Sequence, residues 1–226
     1  MKKKPFESLD QMAEATAGAL GQTAAGSAFH LFRDKHFRQS AGFDQLSQTE
    51  QDRIFNELVV ACLVLIMLII EAPDLRVAAD FRRYLSELSQ KIPEAYLDRL
   101  RGLGVESKHL RDWEKLINLR YEEYAKDRHD VRAAAMQLEA SEKALDFEAL
   151  SKIQMLVPVQ TVAIGCHHHI CRGKTEGRDE LFRLTLTSLS KFYADIRIRL
   201  EGGKITPLTQ ARVAFKRMIR RIGKGK

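Results

Sequence analysis

Thirteen consecutive apolar residues, from Leu58 to Ile70, constrain the fold of this chain more than any other feature. The run reads LVVACLVLIMLII and lies between Glu57 and Glu71. As an α-helix it is about 20 Å long, whereas the hydrocarbon core of a bilayer is roughly 30 Å thick. We therefore expect a helix at the centre of a soluble bundle, covered on every side by other helices. A membrane-associated or re-entrant segment and an oligomer interface are the alternatives.

The composition favours helices throughout. The chain has 226 residues, of which 45% are hydrophobic and 30% charged, and it contains only five prolines. That length can bury a sizeable core. We expect an all-α fold, a single bundle of seven or eight helices built around residues 58–70 and 155–164. Three parts are predicted: a helical arm rich in small residues (1–40), the bundle core (41–203) and a basic amphipathic C-terminal helix (204–226).

Periodicity and capping residues place the remaining helices. The small residues of the arm indicate either weak order or close packing of its backbone on a neighbour. We expect one helix from Asp74 to about Lys91 and a short one that Pro93 begins. A long charged helix (about 106–143) and a helix at about 178–200 complete the bundle, and their inward-facing residues are Leu110, Trp113, Ile117, Tyr124, Leu181, Leu184, Phe192 and Ile196.

Two segments are open to more than one interpretation. Pro158 lies in the apolar segment at about 147–172, and we expect it to be the first residue of a new helix; a bend within one helix is the alternative. The alternating residues Ile196–Thr206 turn on Gly202 and Gly203. That pattern is typical of a β-hairpin, although a lone hairpin is marginally stable, so the end of a helix is favoured.

The segment GCHHHICRG, from Gly165 to Gly173, concentrates two cysteines and three histidines. On a helix the rise alone separates Cys166 from Cys171 by about 7.5 Å, too far for a disulfide. Cys166 and His169 share one side, so a divalent transition metal bound there would need further ligands from distant elements. We interpret the segment as a structural helix end, with a metal site at Cys166 and His169 or a redox-sensing thiol as alternatives.

Other catalytic patterns fail on spacing. Gly173-Lys174-Thr175 resembles the end of a phosphate-binding P-loop, but position 168 is histidine where that motif requires glycine. Glu57 and Glu71 lie about 21 Å apart along a helix and cannot share a metal. No catalytic residue or small-molecule substrate is identifiable from these patterns, which favour a protein that is not an enzyme.

The three cysteines do not have disulfide-framework spacing, and Phe6 to Asp10 carry polar residues where a signal peptide would be apolar. These features predict a cytoplasmic protein, with peripheral membrane association as the alternative.

Positive charge is concentrated at the C-terminus. Residues 204–226 contain eight basic residues and no acidic one, and the other residues carry 29 basic and 30 acidic side chains. On a helical wheel the apolar residues gather on one side, which leaves the other side to the candidate anion-binding residues Arg212, Lys216, Arg217, Arg220 and Arg221. We expect a binding or assembly protein that acts through its surface and this segment. The alternatives are a metal- or redox-sensing protein or an enzyme with a site near residues 166–171, and a peripheral membrane protein anchored by this segment. A protein partner or self-association, nucleic acid and an anionic membrane surface are the candidate partners.

Overall fold

The computed structural model describes residues 8–79, 81–142 and 146–202, and these ranges form seven α-helices and no β-strand. A short 3-10 turn at Phe43–Gln45 precedes the central helix. The prediction of an all-α bundle is confirmed. In chain order the helices are α1 (Leu9–Arg33), α2 (Lys35–Ser40), α3 (Gln48–Ile70), α4 (Phe81–Gly102), α5 (Ser107–Glu142), α6 (Phe147–Ile170) and α7 (Asp179–Leu200).

Helix α3 forms the centre of the bundle. The Ser47 hydroxyl accepts a hydrogen bond from the backbone N–H of Glu50 and caps the start of the helix. Every residue from Leu58 to Ile70 is buried, and α3 contacts α1, α4, α5, α6 and α7. A helix that is apolar all round is stable in water only when neighbours cover it. The expected covered central helix is confirmed.

Two described helices, α3 and α6, are long and apolar enough to cross a membrane. The core helix of a soluble protein meets the same criteria. In α3, 83% of the most apolar window is buried inside the bundle, whereas in α6 the share is 44%. The burial of α3 agrees with its role as the core of the bundle.

Helix α1 packs its backbone closely on α3 and α4, which is the second of the two alternatives for the small-residue arm. A Cβ added at Gly21 would lie 3.8 Å from the Tyr96 ring, so the two helices approach closely there. The buried residues of α1 belong to the same hydrophobic core as α3. The buried small residues on this face are Ala13, Ala17, Gly21, Ala24 and Ala28.

The expected helix starts at Asp74 and Pro93 are wrong. Residues 71–79 form a non-helical connection, in which the backbone carbonyl and the carboxylate of Asp74 each accept from Arg197 of α7 at 2.8 Å. Pro93 lies inside α4, which continues to Gly102. The neighbouring Leu88, Ile92 and Tyr96 form one buried stripe, whose packing offsets the hydrogen bond that a proline removes.

Pro158 likewise lies inside α6 and does not begin a helix. It is buried between Val157 and Val159, and α6 is packed by α3, α5 and α7. Only the ends of the expected core segment 155–164 face outward, since Met155 and Ile164 are 39% and 47% exposed.

Helix α7 extends to Leu200, so the hairpin alternative is wrong for its first strand. The predicted basic helix, residues 204–226, lies outside the described residues.

Candidate functional site

The cysteine and histidine cluster forms the C-terminal end of α6. The Cys166 thiol is fully buried, 3.9 Å from the backbone carbonyl oxygen of Glu57. Burial raises the pKa of Cys166 well above its usual value and that of Cys62 to about 12. Burial also raises the pKa of Cys171, which is half-buried. A reactive thiol needs a lowered pKa, and each of these three is raised.

The three histidines point to different surroundings. His167 is buried with its ring 5.4 Å from that of Phe182, and burial lowers the pKa of His167. His168 is exposed. His169 places Nε2 at 2.8 and 2.9 Å from the two carboxylate oxygens of Glu123 on α5. The cluster therefore does not converge on a single point.

The metal site at Cys166 and His169 stays a prediction, because the described residues bring no further ligands to this pair. The thiol faces the α3 backbone, whereas the imidazole contacts a carboxylate of α5. Within residues 8–79, 81–142 and 146–202, no three His, Cys, Asp or Glu residues form a group that could hold a metal ion. Structural zinc usually takes four protein ligands.

A buried network of charged side chains links α3, α5 and α6. The Arg120 guanidinium donates to both carboxylate oxygens of Glu57, at 3.0 and 2.8 Å, and to Glu123 at 3.1 Å. Glu123 continues the network to His169. Glu57 is 5% exposed, so its charge would be costly without Arg120. This arrangement fixes the mutual register of the three helices.

Two of these helices, α5 and α6, approach each other closely at Tyr124 and Gly165. A Cβ added at Gly165 would lie 2.8 Å from Cδ1 and 3.0 Å from Cζ of the Tyr124 ring. The ring is fully buried, and its hydroxyl has no hydrogen-bond partner among the described residues. Only glycine lets α6 approach the ring in this way.

Arg53 of α3 stabilises the end of α6. Its guanidinium donates to the backbone carbonyl oxygens of His169 at 2.8 Å and Ile170 at 3.0 Å. The His169 carbonyl also accepts from the backbone N–H of Arg172 at 3.2 Å. A cation suits the negative end of the helix dipole. Glu50 pairs with both Arg53 and Arg172, so one carboxylate connects the start of α3 to the residues after α6.

A second cluster of charged side chains fixes the end of α7. Arg197, whose side chain is 11% exposed, pairs with Asp74 at 2.8 Å and with Glu201 at 2.9 Å. It also donates to the Tyr193 hydroxyl at 2.7 Å, and that hydroxyl donates to the backbone carbonyl of Met155 at 2.6 Å. The last turn of α7 is thereby attached to α6 and to the α3–α4 connection.

Sequence reasoning missed both charged clusters, although one signal was present. Arg120 lies between Ile117 and Tyr124 at helical spacing, so it occupies the buried face of α5. A charged residue on such a face needs a partner, and Glu57 directly precedes the apolar run of α3. The predicted anion-binding residues Arg212, Lys216, Arg217, Arg220 and Arg221 lie outside the described residues.

No family model, curated protein or solved structure matches this chain. The chemistry of its own residues therefore carries the functional proposal.

Proposed function

We propose that the protein is a helical binding protein that holds the phosphate groups of an anionic partner through residues 204–226, which we call the basic segment. The segregation of charge carries this proposal. Eight of the 37 basic residues and none of the 30 acidic residues lie in the basic segment. A cluster of this kind, with nothing acidic to neutralise it locally, attracts polyanions and anionic surfaces.

The end of α7 supports this proposal. The basic segment begins two residues after Gly202, the last described residue. The Arg197 contacts with Asp74 and Glu201 attach the preceding turn to the bundle. The last described turn before the basic segment is therefore held at a defined place on the bundle.

The scarcity of aromatic residues in the basic segment favours a phosphate-bearing surface over a single-stranded nucleic acid. Phe215 is the only aromatic residue in the segment, whereas single-strand binding proteins use several aromatic side chains as stacking platforms. Duplex nucleic acid and an anionic lipid surface both present phosphates without requiring such stacking. The experiment below distinguishes these two sources.

Binding is measured by fluorescence anisotropy on a 20-base-pair DNA duplex and by co-sedimentation with vesicles of phosphatidylcholine containing 30% phosphatidylglycerol. Vesicles of phosphatidylcholine alone are the uncharged control. We expect one of the two anionic targets to bind the full chain. We also expect a chain that ends at residue 203 to lose at least tenfold in affinity, because it lacks the eight cations.

A pair of matched variants distinguishes binding by the basic segment from attraction by the net positive charge of the whole chain. The test variant replaces five basic residues of the segment by glutamine. The control variant replaces five exposed basic residues of the bundle and so has the same net charge. The proposal requires that the test variant loses binding and the control variant does not. Equal losses of affinity in the two variants would refute it, and so would a full chain that binds neither the DNA duplex nor the anionic vesicles. The test set is Arg212, Lys216, Arg217, Arg220 and Arg221, and the control set is Lys35, Arg111, Lys115, Lys126 and Lys191.

A further inference from the structure

A cleft of about 330 Å³ lies between α6 and α7, beside the C-terminal end of α7, and we call it the α6–α7 cleft. Met155 of α6 and Ala194 and Ile198 of α7 supply its apolar lining. Arg76 of the α3–α4 connection and Glu201, which directly follows α7, also line it. The described residues end one position after Glu201, so the cleft lies beside the point from which the chain continues into the basic segment.

The charged groups on the α7 side of the cleft already have partners. The Arg197 guanidinium donates to Glu201 at 2.9 Å and to the Tyr193 hydroxyl at 2.7 Å. It also pairs with the Asp74 carboxylate at 2.8 Å. The same Glu201 oxygen accepts from the backbone N–H of Arg76 at 3.3 Å. Because these charges neutralise one another, the cleft favours an occupant that contacts its apolar lining.

The apolar lining of the cleft is exposed to water. Met155 is 39% exposed, whereas Val157 and Val159 of the same helix are each 1% exposed. Ala194 is exposed and Ile198 is partly buried. Helix α6 also has more uncovered apolar surface than α3, since 44% of its most apolar window is buried against 83% in α3. Contact with a further apolar segment removes such surface from water, which is favourable in proportion to the area covered.

The basic segment carries apolar residues that can cover this surface. On a helical wheel Leu208, Phe215 and Ile219 lie within about 40° of one another, and Arg217 lies on the opposite side. Leu208 is six positions after Gly202, a span of at most about 20 Å of extended chain. A tether this short gives the segment an effective concentration at the cleft on the order of millimolar. The chain's own segment is therefore favoured over a separate partner as the occupant.

We propose that the basic segment docks the apolar side formed by Leu208, Phe215 and Ile219 in the α6–α7 cleft and turns Arg217 to the solvent. The docking itself requires no anion, and only its role rests on the proposed function. Docking holds the cations in one place, so less conformational freedom is lost when phosphate groups bind.

Thiol labelling of the full chain tests the docking. Met155→Cys places a thiol in the cleft, and Ile164→Cys places one about two and a half turns later, on the opposite side of α6. Cys171→Ser is present in every chain, because Cys171 is half-buried whereas Cys62 and Cys166 are buried. The rate of reaction with N-ethylmaleimide at pH 7.5 is measured for each chain.

Substitutions in the basic segment decide the outcome. Leu208→Ser, Phe215→Ser and Ile219→Ser together keep all eight cations, so a changed labelling rate reports lost cover and not lost charge. We expect Met155→Cys to react at least tenfold faster in this serine variant, because the segment no longer covers the thiol. The Ile164→Cys rate should not change. An equal Met155→Cys rate with and without the serines would overturn the proposal.

The test variant with five glutamines is the matched control, because it keeps the apolar side of the segment. It should leave the Met155→Cys rate nearly unchanged. A rise as large as that in the serine variant would show that charge holds the segment, and would also overturn the proposal.

Protein concentration distinguishes docking within one chain from contact with a second copy. We expect the same Met155→Cys rate across a tenfold range of protein concentration, and a rate that falls with concentration would overturn the proposal. If Met155→Cys fails to fold, Ala194→Cys at an exposed position of the same cleft replaces it. Anion binding does not enter these rates, so protection of the thiol without binding to either anionic target would refute the proposed function alone.

Discussion

Replacing Gly165 by alanine tests the close packing of α5 on α6. The added Cβ would lie 2.8 Å from Cδ1 and 3.0 Å from Cζ of Tyr124, and closer still to Cε1. Carbon atoms in contact are normally about 3.5–4.0 Å apart. The ring is fully buried, so it cannot turn outward to relieve the overlap. Overpacking a core in this way costs about 1–3 kcal/mol, and three overlapping ring atoms place the cost near 3 kcal/mol.

The helix propensity of alanine acts in the opposite direction. Alanine is about 1 kcal/mol more favourable than glycine inside a helix. The expected net loss of stability for Gly165→Ala is therefore about 2 kcal/mol. Gly26→Ala in α1 is the matched control, because an added Cβ there meets nothing within 4 Å. The control should gain up to about 1 kcal/mol, which separates the two variants by about 3 kcal/mol.

Urea unfolding followed by circular dichroism at 222 nm measures both free energies of unfolding by linear extrapolation. A second substitution, Tyr124→Leu, removes the ring, so in that background Gly165→Ala should keep only the gain of about 1 kcal/mol from helix propensity. The coupling energy between the two positions is then about 3 kcal/mol. If Gly165→Ala is as stable as Gly26→Ala, the described approach of α6 to the ring is wrong.

Three further predictions concern the same helices. Arg120→Met leaves the buried carboxylate of Glu57 without its partner and should lower the free energy of unfolding by about 3–5 kcal/mol. Adding Glu57→Gln should restore part of the lost stability, because it removes the unpaired charge. A double variant as unstable as Arg120→Met alone would argue against the pairing. Tyr124→Phe removes a hydroxyl without a described partner, so urea unfolding should show unchanged or increased stability, and a loss above about 1 kcal/mol would reveal a missed hydrogen bond. In a thiol titration at pH 8 on the folded protein, Cys171 should react first and the two buried thiols only after unfolding; simultaneous reaction of all three would contradict their burial.

The sequence alone predicted those helices whose burial follows from the spacing of their own apolar residues. The apolar run of α3 can be stable in water only as a covered helix. The recurrence of Leu110, Trp113, Ile117 and Tyr124 at three and four residues predicted the inward face of α5; all but Trp113, which is partly buried, are buried there. Both predictions depend on local periodicity, which the sequence displays directly.

The prolines and the buried ion pair could not be predicted in this way. Pro93 and Pro158 would end a helix by local rules, but the buried residues beside them continue the packing through the proline. Glu57 and Arg120 are 63 residues apart, and they meet only because α3 and α5 pack in one register.

The salt dependence of binding tests the central claim most directly, that phosphate groups are held by the cations of the basic segment. On duplex DNA, or on anionic vesicles if those bind instead, the logarithm of the association constant is plotted against the logarithm of the salt concentration. For DNA, each phosphate contact contributes about −0.9 to the slope, so eight cations allow a slope near −7. The test variant with five glutamines should lower the magnitude of that slope by about 4, and the bundle control should leave it unchanged. A slope near zero for the full chain, or the same slope for both variants, would contradict the account.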